Sequence, residues 1–258
     1  VTDGVHPAAA HGFDRGAADY AAARPGYPDA AVDLVAAELG VGPGRRVLDL
    51  AAGTGILTRA LVARGADVVA VEPVAGMRAE LRRATPGVEV LDGRAEALPL
   101  DDASVDVVTV AQAFHWFDPA PALAEIARVL RPGGGLALIW NGRDESVGWV
   151  ARWTEIVERG GGGRPYTRRD DWADVVTAHG AGRFTPLERR TFPNPHPTTP
   201  EGIVARAAST SWVAARPDDV REAVLDEVRD LVGTHPDLAG RDELVFPHDT
   251  HVWWCRRT

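Results

Sequence analysis

Residues 47–58 read Val-Leu-Asp-Leu-Ala-Ala-Gly-Thr-Gly-Ile-Leu-Thr, VLDLAAGTGILT, and their reading decides the fold. The run Val47–Leu50 predicts a buried strand. Gly53 and Gly55 then make a turn, and Ile56 opens a helix. Strand, glycine turn and helix N-terminus together are the usual grip on a nucleotide-like cofactor. The dinucleotide fingerprint is not met, because a G-x-G-x-x-G register through Gly53 and Gly55 needs a third glycine where Thr58 stands. The ligand has to be decided by the rest of the chain.

Outward from this stretch, strands and helices alternate. Strand Val47–Leu50 leads to helix Ile56–Arg64, strand Val68–Glu72 to helix Gly76–Ala84, and strand Val88–Leu91 to an acidic loop. Strand Val105–Val110 leads to helix Pro121–Leu130, whose Leu123, Ile126, Ala127 and Leu130 fall on one face. RPGGG (131–135) is read as a turn and Leu136–Trp140 as the fifth strand. The runs VVAVE, VDVVTV and LALIW are almost wholly apolar, as strands buried on both faces are. This alternation predicts an α/β fold, a parallel sheet with helices on both sides. Before it, PDAAVDLVAAELG predicts a helix that Gly40 ends. After it come a helix Ser146–Glu158, late strands FTPLERRTF (184–192) and LVFPHDTHVWWCRR (244–257), a helix start at TTPEG, and an amphipathic helix Asp218–Val232. The apolar face of that last helix is read as Val220, Val224, Leu225, Val228 and Leu231.

The composition, 45% hydrophobic and 25% charged over 258 residues, is that of an ordinary globular protein. A net charge of -9 argues against gripping a nucleic-acid backbone, which needs a basic face. All 28 basic residues are arginine, as high-GC bacterial coding would give, and no lysine is available as a base or Schiff-base former. One cysteine, Cys255, allows no intrachain disulfide and no thiolate zinc cluster, and it is expected to be inert. The histidines show no H-x-x-x-H pair, so no metal is expected. The opening VTDGVHPAAA has neither a basic leader nor an apolar core, and no apolar run is long enough to span a membrane. A cytoplasmic enzyme is the expectation.

An open parallel sheet binds ligands at the carboxyl ends of its strands. Asp49 and the 51–55 turn follow the first strand. Glu72 follows the second, about 20 residues beyond Gly53, where a carboxylate can accept both hydroxyls of a ribose. Asp92 and GRAEALPL follow the third, AQAFHWFD (111–118) the fourth, and Asn141 the fifth.

Taken in order, VLDLAAGTG, VVAVEP (68–73), GRAEALPLDDASVDVV (93–108) and RVLRPGGGLALIW (128–140) resemble class I S-adenosylmethionine-dependent methyltransferases. FDRGAADYAAARPGYP (13–28) and AQAFHWFD resemble the small-molecule branch that includes trans-aconitate-type enzymes. The resemblance runs from Phe13 to Asn141. It implies a Rossmann-like, mostly parallel seven-stranded sheet closed by an antiparallel last strand, in a single domain. Residues 1–45 would be a helical cap, 46–142 the cofactor core, and 143–258 the substrate-side half, with 193–244 covering the strand ends. It implies S-adenosylmethionine as cofactor. Asp49, Ala51, Gly53 and Gly55 would lie under its methionine part, Glu72 at the ribose, and Ala95 and Glu96 at the adenine. Gln112 and Phe114 would stand beside it, and Tyr20 and Arg24 in the N-terminal cap, Arg24 near the cofactor's carboxylate. Two positions depart from the family pattern: Ala51 replaces its first glycine, and Arg94 stands where an aspartate is common.

A positive sulfonium suits acidic walls and aromatic faces. Methyl transfer needs chiefly a close, aligned acceptor, with a base only when the acceptor carries a proton to be lost. His115 is the candidate base, expected between the methyl group and a small-molecule acceptor; Trp116, Asn141 and Trp212 are the candidate acceptor contacts. The rivals are a protein of this fold doing other chemistry such as cyclisation, a nicotinamide oxidoreductase, and a non-enzymatic binding module.

Overall fold

The computed structural model describes residues 26–159 and 172–258, without the side chains of Ser211 and Trp212. In chain order the elements are α1 (Asp29–Leu39), β1 (Arg46–Leu50), α2 (Ile56–Ala63), β2 (Asp67–Val71), α3 (Ala75–Ala84) and β3 (Glu89–Leu91). Then come β4 (Val105–Ala111), a 3-10 turn (Phe114–Trp116), α4 (Pro119–Val129), β5 (Leu130–Arg143), α5 (Gly148–Glu158) and α6 (Trp172–His179). The last are β6 (Glu188–Pro193), β7 (His196–Thr198), α7 (Pro200–Ala208), α8 (Ser211–Ala214), α9 (Asp218–Thr234), β8 (Leu244–Phe246) and β9 (His248–Arg256). The described residues group into two compact units, one of 26–140, 172–192 and 250–258, the other of 141–159 and 193–249.

The first unit is built on a seven-stranded sheet in the order β3-β2-β1-β4-β5-β9-β6. β1, β2, β3, β4 and β5 pair in parallel. β9 runs antiparallel to β5: Gly133 donates to Arg257 and Arg257 to Gly134, while further on Asp144 donates to Pro247. Side chains alternate between the faces, so each strand feeds two cores. Leu48, Leu50, Val108, Val110, Leu136 and Leu138 pack with Leu123 and Ile126 of α4 and Val176 of α6. Val47, Val107, Ala137 and Ile139 pack with Val32, Val35 and Leu39 of α1 and Leu57 and Leu61 of α2. This two-sided burial is why the strands read as continuous apolar runs. Cys255 is buried too, and burial pushes its thiol up to about 12.

Three expectations about the strands change. RPGGG is not a link before the fifth strand but an excursion within it. The register jumps from Val105↔Leu130 to Val107↔Gly135, and Arg131 closes the bulge by pairing with Asp106 at 2.8 Å. β5 also continues past Trp140, so Asn141 lies inside the strand. The stretch 244–257 is two strands, because Pro247 has no N–H to give a ladder and interrupts it. β8 pairs with β7 in a separate two-stranded sheet, and only β9 joins the large one.

The second unit has its own core, in which α9 packs with α5 and α7. Phe246 is its centre, edge-on to Trp149 at 4.9 Å and to Trp153 at 5.2 Å. Thr199 caps α7 by accepting the Gly202 N–H at 3.1 Å, as TTPEG implies. The buried stripe of α9 is Val224, Leu225, Val228, Leu231 and Val232; Val220, at the helix start, is exposed instead. Arg206 stacks on Phe246 and meets His248 Nε2 at 2.6 Å. Burial and that guanidinium push His248 down to about 3, so the ring is a neutral acceptor.

The turn after β1 supports a prediction of two opposite signs. Gly55 has φ +81°, and a Cβ there would sit 2.3 Å from Leu81 Cδ1 of α3. Gly55→Ala is expected to cost roughly 2–4 kcal/mol, combining left-handed strain with overpacking. Ala51 already carries such strain at φ +55°, so Ala51→Gly is expected to be neutral or stabilising, within about 1 kcal/mol. Denaturant titration of both variants checks the pair of signs.

Candidate active site

The chain leaves β1 toward α2 on one face of the sheet and leaves β4 toward α4 on the other. Neighbouring strands whose connections part in this way open a crevice at their carboxyl ends. Both exits are strained. Ala51 (φ +55°) and Gln112 (φ +57°) sit in the left-handed region without being glycine. Such backbone costs energy and persists where surrounding contacts over-determine it, commonly at functional sites. The contacts are visible here: Ala52 donates to the Val71 carbonyl at 3.2 Å, and Gln112 to that of Ile139 at 3.0 Å.

The 51–55 loop is held by Glu72. Its Oε2 accepts the Gly53 N–H at 2.9 Å and its Oε1 accepts the Val74 N–H at 2.9 Å. The carboxylate is only 4% exposed, and burial raises its pKa against the pull of those two N–H groups. Each oxygen keeps a second lone pair for a further donor. Arg78 supports the turn from below, donating to the Glu72 carbonyl at 2.8 Å and to both oxygens of Asp92 at 3.0 and 2.9 Å. Gly53 has room for a methyl group: a Cβ there would meet Met77 Sδ at 3.8 Å, an ordinary van der Waals contact.

Asp49 lies deeper, 1% exposed, on the α1–α2 face. Thr58 Oγ1 donates to its Oδ2 at 2.6 Å, and Thr109 Oγ1 stands 3.2 Å from Oδ1. Burial pushes Asp49 up to about 6; the two hydroxyls oppose the shift and nearby Glu72 adds to it. Asp49, Ala51, Gly53, Gly55 and Glu72 are thus gathered around one loop. Thr58 and Thr109 were not foreseen as part of it. Thr58 is in the sequence as the residue that spoils a dinucleotide fingerprint, and its partnership with Asp49 follows only from one turn of helix bringing it back over the strand.

Beyond β3, Ala95 is buried and Glu96 is half-buried, its Oε1 accepting the Asp118 N–H at 3.0 Å ahead of α4. Beyond β4, Phe114, His115 and Trp116 form the 3-10 turn. His115 packs against Trp116 at 4.4 Å and edge-on to Trp140, within β5, at 4.9 Å. Trp172 of α6 completes the cluster, 5.4 Å from Phe114 and 5.7 Å from Trp140. His115, Trp116 and Trp140 are half-buried, while Phe114 and Trp172 are buried. Sequence reasoning missed Trp172, which is remote along the chain.

Asn141 belongs to the second unit, where its Oδ1 accepts from Asn194 Nδ2 at 3.2 Å. Trp212 is on the backbone of α8, and its side chain lies outside the described part. Tyr20 and Arg24 lie outside the described residues.

A family model described as a methyltransferase domain matches residues 48–138. The chain is similar to an uncharacterized methyltransferase of Mycobacterium bovis, 46% identical over 231 residues, which are 90% of this chain and 89% of that one. An uncharacterized methyltransferase-like protein of Schizosaccharomyces pombe is 34% identical over 239 residues, 92% of each chain. Among solved structures, the YcgJ protein of Bacillus subtilis matches the fold with a TM-score of 0.59 at 18% identity, over 89% of this chain and 99% of that one.

The buried Asp49 gives a pH prediction. Its pKa is raised from 3.8 to about 6 on folding. Between those values the folded state keeps a proton that the unfolded state has released, so stability is lost as pH rises through the window and the loss is complete above it. A shift of that size corresponds to about 3 kcal/mol. Relative to wild type, Asp49→Asn should lack this decline. Denaturant titrations of both proteins across the window read it, and parallel curves would show that Asp49 is not the group responsible.

Proposed function

Because the chain belongs to the class I S-adenosylmethionine-dependent methyltransferases, we propose that its methyl acceptor is a small molecule with a flat, largely apolar ring system. The observation that carries this reading is the half-buried cluster of His115 and Trp116, just beyond β4, with Trp140 of β5. Ring faces and edges of this kind hold a planar partner by stacking and edge contact. With the family assigned, the nicotinamide reading falls. The place of the reaction in specialised metabolism remains part of the proposal.

The residues of the loop fit the cofactor. Gly53 leaves room beyond its own hydrogen, and each Glu72 oxygen, having accepted one backbone N–H, has a further lone pair for a ribose hydroxyl. Bound there, S-adenosylmethionine supplies an electrophilic methyl group on a positively charged sulfur. In this reading Asp49, Ala51, Gly53 and Gly55 carry the methionine side, Ala95 and Glu96 the adenine side, and Gln112 and Phe114 flank the middle. Tyr20 and Arg24 close the N-terminal side. His115 takes up the acceptor's hydroxyl proton while Trp116 and Trp140 align its ring; alignment supplies most of the acceleration. Asn141, Trp212 and the segment 193–244, within one methyltransferase domain, provide the acceptor's cover and selectivity.

Calorimetry with S-adenosylmethionine tests the first half. Glu72→Ala should weaken binding by about ten- to a hundredfold, from the loss of charge-assisted hydrogen bonds worth about 1.5–3 kcal/mol. An unchanged affinity in a folded variant would refute the ribose assignment. A methyl-transfer screen tests the second half, setting flat phenols against aliphatic polycarboxylates. Transfer to the polycarboxylates alone would overturn the proposed acceptor class. On a phenol that is turned over, His115→Ala should cut kcat by about 10²- to 10⁴-fold and abolish the pH dependence due to the base.

A further inference from the structure

We propose that Thr109 and Thr58 are positioning residues, which act through Asp49 to lock the cofactor loop and the segment after β4 to each other. The proposal rests on the methyl-transfer reading of the site. Asp49 and Thr109 face each other in register on the adjacent parallel strands β1 and β4. The Thr109 hydroxyl lies 3.2 Å from Asp49 Oδ1 and 3.3 Å from the Leu48 carbonyl, so its one proton serves two acceptors on β1. Thr58 Oγ1, on the first turn of α2, donates to the other Asp49 oxygen at 2.6 Å. Neither threonine has measurable exposure.

Threonine at both places needs a reason. Thr109 interrupts the strand run Val105–Ala111, where valine stands at 107, 108 and 110. A buried hydroxyl is costly unless it is used, and valine would fill the same volume without that cost. The hydroxyls are used on one carboxylate, and its location explains the benefit. Two residues beyond Asp49 the chain enters the strained Ala51, and three beyond Thr109 it enters the strained Gln112. Each strained exit is hooked to the strand on its far side, Ala52 to β2 and Gln112 to β5. The Thr109–Asp49–Thr58 bridge ties the two exits together across the gap between them. One exit carries the glycine loop and the other carries His115, so the bridge sets the spacing between the cofactor side and the acceptor side. In a displacement reaction an error of about 1 Å in that spacing costs about a hundredfold in rate.

The test compares Thr109→Val and Thr58→Val, which keep shape and remove the hydroxyl, with Thr109→Ser and Thr58→Ser, which keep the hydroxyl. Amide hydrogen exchange of the ligand-free protein is read residue by residue, and S-adenosylhomocysteine binding by calorimetry. In the valine variants exchange should speed by at least about tenfold at 51–55 and 111–116, with the α9 amides unchanged, and affinity for S-adenosylhomocysteine should fall by about tenfold. The serine variants should restore both. Wild-type exchange at the two exits in Thr109→Val, acceleration spread evenly over both units, or serine behaving like valine would each overturn the bridge. If the wild type itself failed to bind S-adenosylhomocysteine, the methyl-transfer reading of the site would fail instead, and the ligand-free exchange would still decide the bridge.

Discussion

Glu72 spends both carboxylate oxygens on backbone N–H groups, one from the loop after β1 and one from the turn after β2. A buried carboxylate in that position is tolerable only while those donors are present. The donors in turn hold a loop whose residues 51, 53 and 55 all have positive φ. The loop and the acid therefore stabilise each other, and neither conformation is available alone. The start of α2 and the close approach of Gly55 to Leu81 follow from this mutual constraint.

Around it, the sheet works as a device for bringing distant side chains to one edge. β1 and β4 lie side by side although a helix, two strands and another helix separate them in sequence. The polar contacts at the site are short, and they divide between backbone N–H groups on Glu72 and side-chain pairs, Thr58 and Thr109 on Asp49 and Arg78 on Asp92. This fits a reaction in which the reagent is already activated and the protein's task is geometry. The second unit shows a different economy, with aromatic stacking around Phe246 and a neutral histidine facing a buried guanidinium.

What was legible in the sequence was local or periodic. The run Val47–Leu50, the glycines at 53 and 55 and the acid at the end of β2 carry their meaning within a few residues, and the apolar strands announce burial on both faces. The misses have one physical root: a residue's role was set by a strand or helix far along the chain. Nothing in Leu136–Trp140 marks where β5 ends, because its extension through Asn141 depends on β9 offering a partner. The split of the stretch 244–257 follows from proline chemistry, since Pro247 has no N–H to give a ladder. Val220 has the right spacing for the α9 stripe, yet the neighbouring helices do not cover the first turn. Thr109, Thr58 and Trp172 look ordinary in one dimension, and their partners are assigned only by register and packing.

The strand order has a consequence for how the chain comes to be folded. β9 is inserted between β5 and β6, although it is made after every other strand. As synthesis proceeds, the five parallel strands can assemble early, but β5 keeps an unpaired edge until residues 248–256 emerge. An open edge of apolar, unpaired strand is the surface on which chains adhere to one another. Closure also joins segments more than a hundred residues apart, as Gly133 with Arg257 illustrates, and contacts of such separation form slowly. The nascent protein is thus most prone to aggregation in the interval between completion of β5 and arrival of β9, and damage to β9 would be felt first as lost yield of soluble protein, before any loss of catalytic rate.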